Sequence, residues 1–440
     1  MHITRKLFTF AFVLMSANVF AGGLMTNTNY HIAFDRMMAR GASTEIDAAY
    51  SNPAGLAWGY DGFQMSLNFQ KPWQNRDIEC NNVKYPGKAS APVVPAFFAS
   101  YKKERLAVST MIGIVGSGGF VKFDNGVPMF SAMLAGLLQQ NGITPDKYNL
   151  DSKMEGKQYI FGGQLNVTYR FTDNLSAAVG MRANYYDGFY RGHVIADNHQ
   201  PLGRLAALEL DVDQTGWGFA PIIGANFHQG PLTIAARYEF RTKIETENTT
   251  NNLTAGLGDG LKQVMMATPE GQAKLQAIGT TLGAYTAPYA DGAKTRYDMP
   301  ALLSLAVGYE FTDKLRATAE YHFFDDKGAK MSGDRQDALE HGTNEFLLGA
   351  EYDINDKFTV SLGGQRTDYG LSDGYQQDTS FACDSYSVGL GGAWNINEKM
   401  RLNAGYFITI YSDYSKTASF GQETYSRTNN VIGVGIDYKF

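Results

Sequence analysis

Residues 232–240 read Leu232-Thr233-Ile234-Ala235-Ala236-Arg237-Tyr238-Glu239-Phe240. Leu, Ile, Ala, Tyr and Phe share one face of this segment, and Thr, Ala, Arg and Glu share the other. Because the side chains of a β-strand alternate between its two faces, this pattern predicts a strand that lies between an apolar medium and a polar one. The same alternation recurs over residues 315–323 and 432–440. The sequence therefore predicts an all-β protein built from such strands.

The composition narrows the class of protein. The 440 residues carry a formal net charge of -6 and include 48 Gly, 26 Tyr, 27 Phe and only 2 Cys. Outside the extreme N-terminus, no stretch approaches the ~18 apolar residues of a membrane-spanning helix. The sequence also lacks a dense run of basic residues, which argues against a nucleic-acid partner. Two cysteines exclude a disulfide scaffold and a thiolate metal site, and we expect neither a metal nor another cofactor. These features are typical of a transmembrane β-barrel.

The N-terminus indicates export. Arg5 and Lys6 precede an apolar segment from Leu7 to Met15, and Val19-Phe20-Ala21 offers small residues for cleavage. This arrangement predicts a signal peptide over residues 1–21. The rest of the chain divides into a segment without alternation, residues 22–60, and a predicted barrel, residues 61–440.

Short polar turns alternate with long excursions along the predicted barrel. The turns lie at residues 102–104, 172–174, 228–230, 312–314, 355–357 and 397–399. Between them we predict fourteen strands, at residues 61–70, 92–102, 104–116, 157–171, 174–191, 209–228, 230–247, 295–311, 314–325, 341–354, 357–369, 382–396, 399–413 and 425–440. Short periplasmic turns, long extracellular loops and an even strand number predict a 14-stranded antiparallel β-barrel that is integral to a bacterial outer membrane. A soluble sandwich or propeller is the alternative, but no blade signature repeats.

The segment before the barrel carries a specific motif. Residues 22–60 have too little bulk to form a core of their own, and they are compatible with helix until Asn52-Pro53-Ala54, where Pro53 ends it. This motif, just before the first strand, resembles that of the FadL family of outer-membrane long-chain fatty acid transporters. Gly216-Trp217-Gly218-Phe219 and the closing strand extend the resemblance over nearly the whole mature chain. The resemblance implies a hatch over residues 22–60 inside the barrel and passive uptake of hydrophobic molecules.

The third predicted strand ends in a run of glycines. Glycine weakens a strand and marks bulges or kinks, and Gly113, Gly116, Gly118 and Gly119 all fall within residues 113–119. The resemblance implies that an inward kink here opens the wall, so that ligand leaves laterally into the membrane. The alternative is that these glycines only begin a flexible extracellular loop.

Two long loops carry apolar residues at helical spacing. The first stripe consists of Phe130, Met133, Leu134, Leu137 and Leu138, and the second includes Leu261, Val264 and Met265. Such stripes predict amphipathic helices whose apolar faces pack on each other or line an apolar groove. The resemblance implies that a groove of this kind is the first docking site of the ligand. It is imperfect, because the third loop, about 192–208, is short here and the second, about 117–156, is long.

A fatty acid also requires a partner for its carboxylate. Alternation places Arg182, Arg237, Arg241, Arg316 and Arg401 on the lumen side, and arginine binds carboxylates bidentately. We expect acidic residues of the lumen to neutralise most of them. Arg182 and Arg237 are the candidate carboxylate partners.

Cys80 and Cys383 both fall on the predicted extracellular side. Because exported thiols are usually paired, a disulfide between them is a hypothesis. The sequence has no zinc-binding helix motif, nucleophile elbow or phosphate loop, and His193, His199 and His341 fit solvated loop residues. We therefore expect a monomer without enzymatic activity, whose partners are a long-chain fatty acid or another hydrophobic molecule and the lipid of the outer membrane. A general porin and an outer-membrane protease or lipase are the alternatives.

Overall fold

The computed structural model describes residues 25–198 and 203–440, and within them fourteen long antiparallel strands form a closed barrel wall. The strands are β1 (Gly62–Cys80), β2 (Val94–Lys103), β3 (Leu106–Phe123), β4 (Asn149–Arg170), β5 (Leu175–Asn198), β6 (Gly203–Gln229), β7 (Leu232–Glu239), β8 (Leu302–Glu310), β9 (Leu315–Phe324), β10 (Thr343–Asp353), β11 (Phe358–Asp368), β12 (Ser385–Asn395), β13 (Met400–Tyr411) and β14 (Gly421–Lys439). Each strand pairs with the next, and β14 pairs with β1 to close the sheet. The predicted 14-stranded antiparallel barrel is confirmed. The signal peptide predicted over residues 1–21 lies outside the described residues.

The wall is apolar on its outer face and polar on its inner face. Along β7, Ile234 and Tyr238 are exposed, whereas Thr233, Arg237 and Glu239 are buried. In a soluble protein apolar side chains are mostly buried, whereas here they are exposed on the outer face of the strands. They form an apolar band around the barrel that includes Leu67, Ile112, Leu165, Val179, Phe219, Val307, Leu348, Leu362, Leu390 and Val434. An exposed band of this kind matches the hydrocarbon core of a bilayer.

Residues 25–60, which we call the inner segment, lie inside the barrel. Their helices are α1 (Ile32–Met37), α2 (Ala48–Ser51) and a 3₁₀ helix over Pro53–Trp58, and nearly all of their residues are buried. Helix α1 packs against β10–β14 and β1. A Cβ at Gly349 or Gly363 would overlap the carbonyl oxygen of Met37. The wall therefore needs glycine at these positions, because the backbone of α1 lies directly against the backbone of the strands.

The two ends of the barrel differ. At one end, which we call the turn end, strands are joined by connections of two to four residues or so, such as residues 171–174 and 354–357. At the other, the loop end, lie the helices α3 (Pro128–Gln140), α4 (Asp259–Met266) and α5 (Pro269–Thr286). This end also carries 3₁₀ helices over Pro145–Lys147, Ala287–Tyr289, Asp326–Gly328 and Ser332–Ala338. Its additional strands span Val83–Tyr85, Gly87–Ser90, Glu245–Leu257, Lys294–Arg296 and Tyr414–Ala418. None of the described helices has the length and apolar character needed to span a membrane.

Several predicted strands are wrong in extent. The predicted strand at 230–247 ends at Glu239, and the chain pairs with β6 again only from Glu245. This interruption lies opposite Pro221, which has no N–H to donate to a ladder. The predicted strand at 295–311 is likewise interrupted, and β8 begins only after Pro300. Strands β3–β6 instead run further toward the loop end than predicted, and so does β1, which was predicted at residues 61–70 and ends at Cys80.

Candidate functional site

An apolar cavity of about 770 Å³ lies at the loop end. Helix α3 and the end of α5 cover it, and the extensions of β4, β5 and β6 beyond the apolar band form its floor. The residues that line it are mostly apolar and include Phe130, Met133, Met154, Val194, Leu208, Leu210, Leu253 and Tyr289. A cavity with this volume and lining can take a hydrophobic molecule the size of a small ligand.

The two predicted stripes contribute unequally to this cavity. Phe130 and Met133 line it. Leu134 and Leu138 are buried instead in a cluster with Leu261, and Leu137 and Met265 pack against that cluster. Val264 is exposed to solvent. Of the two alternatives that the stripes left open, Phe130 and Met133 follow the groove, whereas most of the others pack, because α3, α4 and α5 use most of their apolar faces to pack on one another.

Sequence reasoning missed the strand side of the cavity. Met154 of β4, Val194 of β5 and Leu208 of β6 line the cavity at positions beyond the apolar band. Their signal was present as apolar residues in the strand extensions, which the prediction assigned to loops. The charged groups at the rim are paired: Lys153 Nζ lies 2.9 Å from Glu155 Oε1 and His193 Nε2 lies 3.3 Å from Asp151 Oδ2.

A carboxylate from another loop holds the start of α3. Asp378 Oδ2 accepts a hydrogen bond of 2.6 Å from the Met129 backbone N–H, and Asp378 Oδ1 accepts one of 2.9 Å from the Tyr425 hydroxyl. The same hydroxyl lies 3.0 Å from Glu423 Oε2, and Lys416 Nζ lies 3.4 Å from that oxygen. Burial, with Asp378 nearby, raises the pKa of the Glu423 carboxyl to about 8. This cluster at the loop end thus couples the helix above the cavity to β14.

The Asn52-Pro53-Ala54 motif anchors the inner segment to the wall. Asn52 Oδ1 accepts a hydrogen bond from the Ala54 N–H at 3.2 Å, and Asn52 Nδ2 donates to the Ala225 carbonyl at 3.1 Å. The carbonyls of Pro53 and Ala54 accept hydrogen bonds from Thr168 Oγ1 at 2.8 Å and Ser176 Oγ at 2.7 Å. Strands β4, β5 and β6 therefore all bind the motif, because its backbone groups are buried and require partners.

Charged groups bind the rest of the inner segment. Arg40 Nε lies 2.6 Å from Asp47 Oδ2, and Arg40 Nη2 lies 2.7 Å from Glu45 Oε2. Arg36 forms an ion pair with Glu351 of β10, and Arg401 of β13 forms one with Glu45. These pairs join the segment to β10 and β13 as well as to itself. Breaking such a buried pair by removing one partner is costly.

The structure corrects the prediction for Arg182 and Arg237. Both arginines form ion pairs with the same carboxylate, Glu239. Their guanidinium groups also lie over the ring of Tyr50 in α2, at 5.5 and 5.3 Å from its centroid. The carboxylate that these arginines bind is therefore one of the chain itself, and both help to hold the inner segment.

The wall is broken beside the predicted glycines. The ladder between β2 and β3 ends at the pair Phe97 and Ile112, and β3 next pairs on this side through residues 121–123 with Gly87–Ser90. Among the described residues, 113–120 have no strand partner on this side. On the other side, the ladder with β4 has bulges between Ile114 and Gly116 and between Ser117 and Gly119.

The break is closed at its base and open higher up. A Cβ at Gly113 would lie 3.3 Å from the Ala96 Cβ of β2, so the strands still touch there. Gly116 packs beside Ile160 of β4, and Gly118 is buried within the bulged segment. Gly119 has a φ of +76°, and a Cβ there would meet nothing within 4 Å. Only glycine takes that φ without strain, and the space beside it is free.

The bore behind the break is nearly filled. A cavity of about 680 Å³ lies at the turn end beside Glu45, Trp58 and Arg401, whereas the two cavities farther from that end measure about 40 and about 80 Å³. The larger of these two is lined in part by Ser117 and Gly119, so it lies directly behind the broken wall. Cavities of this size hold one or a few waters rather than a continuous channel.

The hypothesis of a disulfide is wrong. Cys80 and Cys383 are both buried and free. Cys383 Sγ lies 3.6 Å from the Tyr425 carbonyl oxygen, to which it donates, and Cys80 lies opposite Glu423 at the end of β1. Burial raises the pKa of the Cys80 thiol to about 11 and that of Cys383 to about 12, so neither thiol is activated for oxidation.

Comparisons with known proteins agree with the fold. A family model described as an outer membrane protein β-barrel domain matches residues 264–440. A Pseudomonas aeruginosa FadL homologue is similar in structure, with a TM-score of 0.66 and 16% identity over 95% of this chain and 100% of its own. The P. putida toluene transporter TodX has a TM-score of 0.60 and 13% identity over 91% of this chain and 98% of its own.

A third similar structure is the Ralstonia pickettii toluene transporter TbuX, with a TM-score of 0.54 and 16% identity over 90% of this chain and 94% of its own. No curated protein matches the sequence. At these identities the likeness shows the fold, which confirms the resemblance to FadL-type barrels and the integral outer-membrane location.

Proposed function

Because the chain is an outer-membrane β-barrel with the FadL-type fold, we propose that it takes up hydrophobic molecules passively and releases them sideways into the membrane. The observation that carries this proposal is the break in the wall between β2 and β3, which lies below an apolar cavity. The loop end faces the outside of the cell, and the turn end faces the periplasm.

Docking is the first step. A hydrophobic molecule enters the cavity of about 770 Å³ under α3 and gains about 0.8 kcal/mol for each CH₂ that leaves water. Phe130 and Met133 supply adaptable apolar contacts on one side, and the strand extensions supply the other. Binding therefore requires no special chemistry, and no catalytic step is part of the proposal.

The inner segment acts as a hatch. Beyond the cavity at the turn end it leaves cavities of only about 40 and about 80 Å³ in the bore, and hydrogen bonds and ion pairs hold it to the wall. A solute of porin size has no open aqueous path through a bore that is filled in this way. The hatch therefore favours a hydrophobic ligand that leaves through the wall over a general porin.

The exit is the break beside Gly116, Gly118 and Gly119. A ligand that reaches the cavity behind Gly119 lies next to the missing ladder, where it can pass between β2 and β3 into the bilayer. Long-chain fatty acids are the substrate class that we propose, since a flexible chain can follow a narrow path of this kind. The driving force is a gradient of affinity from water to lipid.

The exit is tested by filling it. We expect replacement of Gly116, Gly118 and Gly119 together by Val to reduce uptake of labelled oleate to background, because the added side chains crowd the bulges and fill the free space beside position 119. The measurement is made in cells that lack their own transporter. Folding of the barrel is checked by heat-modifiable gel mobility, because Val is strained at the φ of Gly119.

Gly163→Val is the matched control. Gly163 lies on the outer face of the adjacent β4, and a Cβ there also meets nothing within 4 Å, but it faces lipid rather than the break. This variant should take up oleate at the wild-type rate. Wild-type uptake by a folded triple variant would contradict lateral exit. A wild type that passes small sugars but no oleate would favour a porin.

A further inference from the structure

A groove interrupts the apolar band on the outer face of the barrel, close to the turn end. Its volume is about 740 Å³. We call it the outer groove, and the large apolar side chains that line it include Leu67, Phe69, Phe358, Trp394, Leu402 and Val434, all of which are exposed on the outer face. The outer groove is therefore separate from the bore and from the cavity at the loop end.

The outer groove is recessed because two small residues lie side by side at its centre. Gly392 of β12 pairs with Ala404 of β13, and the next residues along the same row are Val360 of β11 and Val434 of β14. A Cβ at Gly392 would lie 2.7 Å from the Thr359 carbonyl oxygen, so a larger residue cannot enter there unless the backbone shifts. The backbone of the wall thus maintains the recess.

Large side chains stand on both sides of this recess. The rings of Phe358 and Trp394 are stacked, with their centroids 6.2 Å apart and an angle of 16° between their planes. Leu67 and Phe69 of β1 lie on the opposite side. Stacked aromatic rings support each other, so this side of the groove does not collapse over the recess. The outer groove requires an occupant, since an unfilled apolar recess loses the dispersion contacts of its lining.

The surroundings restrict what that occupant can be. The outer groove lies within the band that faces the bilayer, where hydrocarbon takes the place of water. The two turns that border it at the turn end each finish with an acid and a lysine, Asp356-Lys357 and Glu398-Lys399, and all four side chains are exposed. Lysine binds phosphate, and a carboxylate binds an ammonium group. The headgroup of a zwitterionic phospholipid carries both of these charges.

We propose that the outer groove holds an acyl chain of one zwitterionic diacyl phospholipid of the periplasmic leaflet, with its headgroup on these two turns. The chain fills the recess over Gly392 and Ala404 and contacts the rings of Phe358 and Trp394. A close fit of this kind gains dispersion contacts that a loosely packed neighbouring lipid lacks. The leaflet follows from the orientation proposed above, but the site does not depend on which molecule the barrel takes up.

Filling the recess tests the site. The purified full chain in detergent is titrated with palmitoyl-oleoyl phosphatidylethanolamine, and native mass spectrometry counts the lipids that each folded barrel retains. We expect the wild type to retain one molecule and Ala404→Trp to require roughly tenfold more lipid for the same occupancy, because the indole ring takes the place of the chain. Ala404 faces lipid, so the barrel should fold, which heat-modifiable gel mobility checks.

Ala319→Trp is the matched control. Ala319 is also exposed on the outer face, where it pairs with Val307 and Leu348 of the apolar band, far along the wall from the outer groove. This variant should retain the lipid as the wild type does. Equal retention by the wild type and Ala404→Trp, or an equal loss in Ala319→Trp, would overturn the proposal. A dimer of the wild type that Ala404→Trp dissociates would assign the groove to a second copy and overturn it as well.

Removal of one side of the groove provides a second test that leaves the floor intact. Trp394→Ala should also weaken retention of the lipid, because the stacked side loses its larger ring. Trp394 is exposed to lipid and supports no buried contact of the inner segment, so loss of folding is not expected. Retention at the wild-type level by this variant would contradict a chain held against Trp394.

The headgroup is tested with a lipid that lacks it. Palmitoyl-oleoyl glycerol has the same two chains but neither phosphate nor ammonium, and we expect the wild type to retain it less well than the phospholipid. Lys357→Met combined with Lys399→Met should remove this preference. Lys314→Met is the control, because Lys314 also follows an acid in a turn but lies between β8 and β9, outside the groove. A wild type that retains both lipids equally would overturn a phospholipid as the occupant.

Discussion

The two sides of the bore differ in how their arginines are paired. On the side of β5, β7 and β10, Arg182 and Arg237 share Glu239, and Arg36 binds Glu351. Where β14 meets β1, Arg427 has no carboxylate partner among the described residues and lies opposite Arg76, beside the part of the wall that is broken. The paired side fixes the inner segment, whereas the other side keeps unsatisfied charge and open space. We infer that the first supports the fold and that the second serves passage.

The largest effect is expected on the paired side. Glu239→Ala leaves Arg182 and Arg237 buried without their shared carboxylate, and removal of one partner from a buried pair costs about 3–5 kcal/mol. Urea titration of the folded fraction, read as heat-modifiable gel mobility, should show a much lower midpoint for this variant. Arg427→Met provides the contrast, since it should not lower the midpoint. Equal loss in both variants would contradict the distinction between the two sides.

A smaller effect is expected at the motif that anchors the inner segment. Asn52→Ala removes the hydrogen bond to the Ala225 carbonyl and leaves the buried Ala54 N–H without an acceptor, at a cost of about 1–2 kcal/mol. Because the loss is local, we expect the barrel to fold while the segment becomes easier to displace. Sensitivity of cells to vancomycin, a large hydrophilic antibiotic, should therefore rise.

Asn141→Ala is the control for this effect. Asn141 follows α3, and its side chain bonds to the Leu137 carbonyl outside the bore. Cells that carry this variant should keep the wild-type sensitivity. If the two variants have the same sensitivity, the motif does not control the closure of the bore.

The wall could be predicted from the sequence because each strand has lipid on one face and a polar lumen on the other. Alternation therefore places Ile234 outward and Arg237 inward without any knowledge of their neighbours. The interruptions had a signal too, since Pro221 and Pro300 have no N–H to donate to a neighbouring strand. The prediction ended β1 at residue 70, before Arg76, although the alternation of buried and exposed residues continues beyond the apolar band.

The candidate site was harder to predict, because the face of a strand on which a side chain lies does not show which residue it contacts. Arg237 and Glu239 are two residues apart on one face, so their pairing was readable, but the meeting of Arg76 with Arg427 depends on closure between the first and last strands. The helical stripes had the same limit. Their spacing identifies an apolar face, and only the packed structure shows that Leu134 contacts other helices while Met133 faces the cavity.

The smallest effect concerns the cover of the cavity and depends on pH. In the folded protein the Glu423 carboxyl keeps its proton up to about pH 8, whereas an unfolded glutamate loses it near its ordinary value, about 4.3. Between these values the folded state binds more protons, so the free energy of unfolding falls as pH rises through this window and levels off above it. Above about pH 8, ionised Glu423 repels Asp378, which holds the start of α3. Amide hydrogen exchange at Met129 should therefore accelerate.

Glu423→Gln isolates this contribution, because its side chain stays neutral and can still form a hydrogen bond with the Tyr425 hydroxyl. The difference in melting temperature between the wild type and this variant should change between about pH 4 and 8 and level off above that, because in this window the unfolded carboxyl is ionised while the folded one keeps its proton. Glu270→Gln on the exposed surface of α5 is the control and should follow the wild type. Parallel curves for the wild type and Glu423→Gln, with unchanged exchange at Met129, would mean that Glu423 does not govern the cover and that α3 is held over the cavity independently of β14.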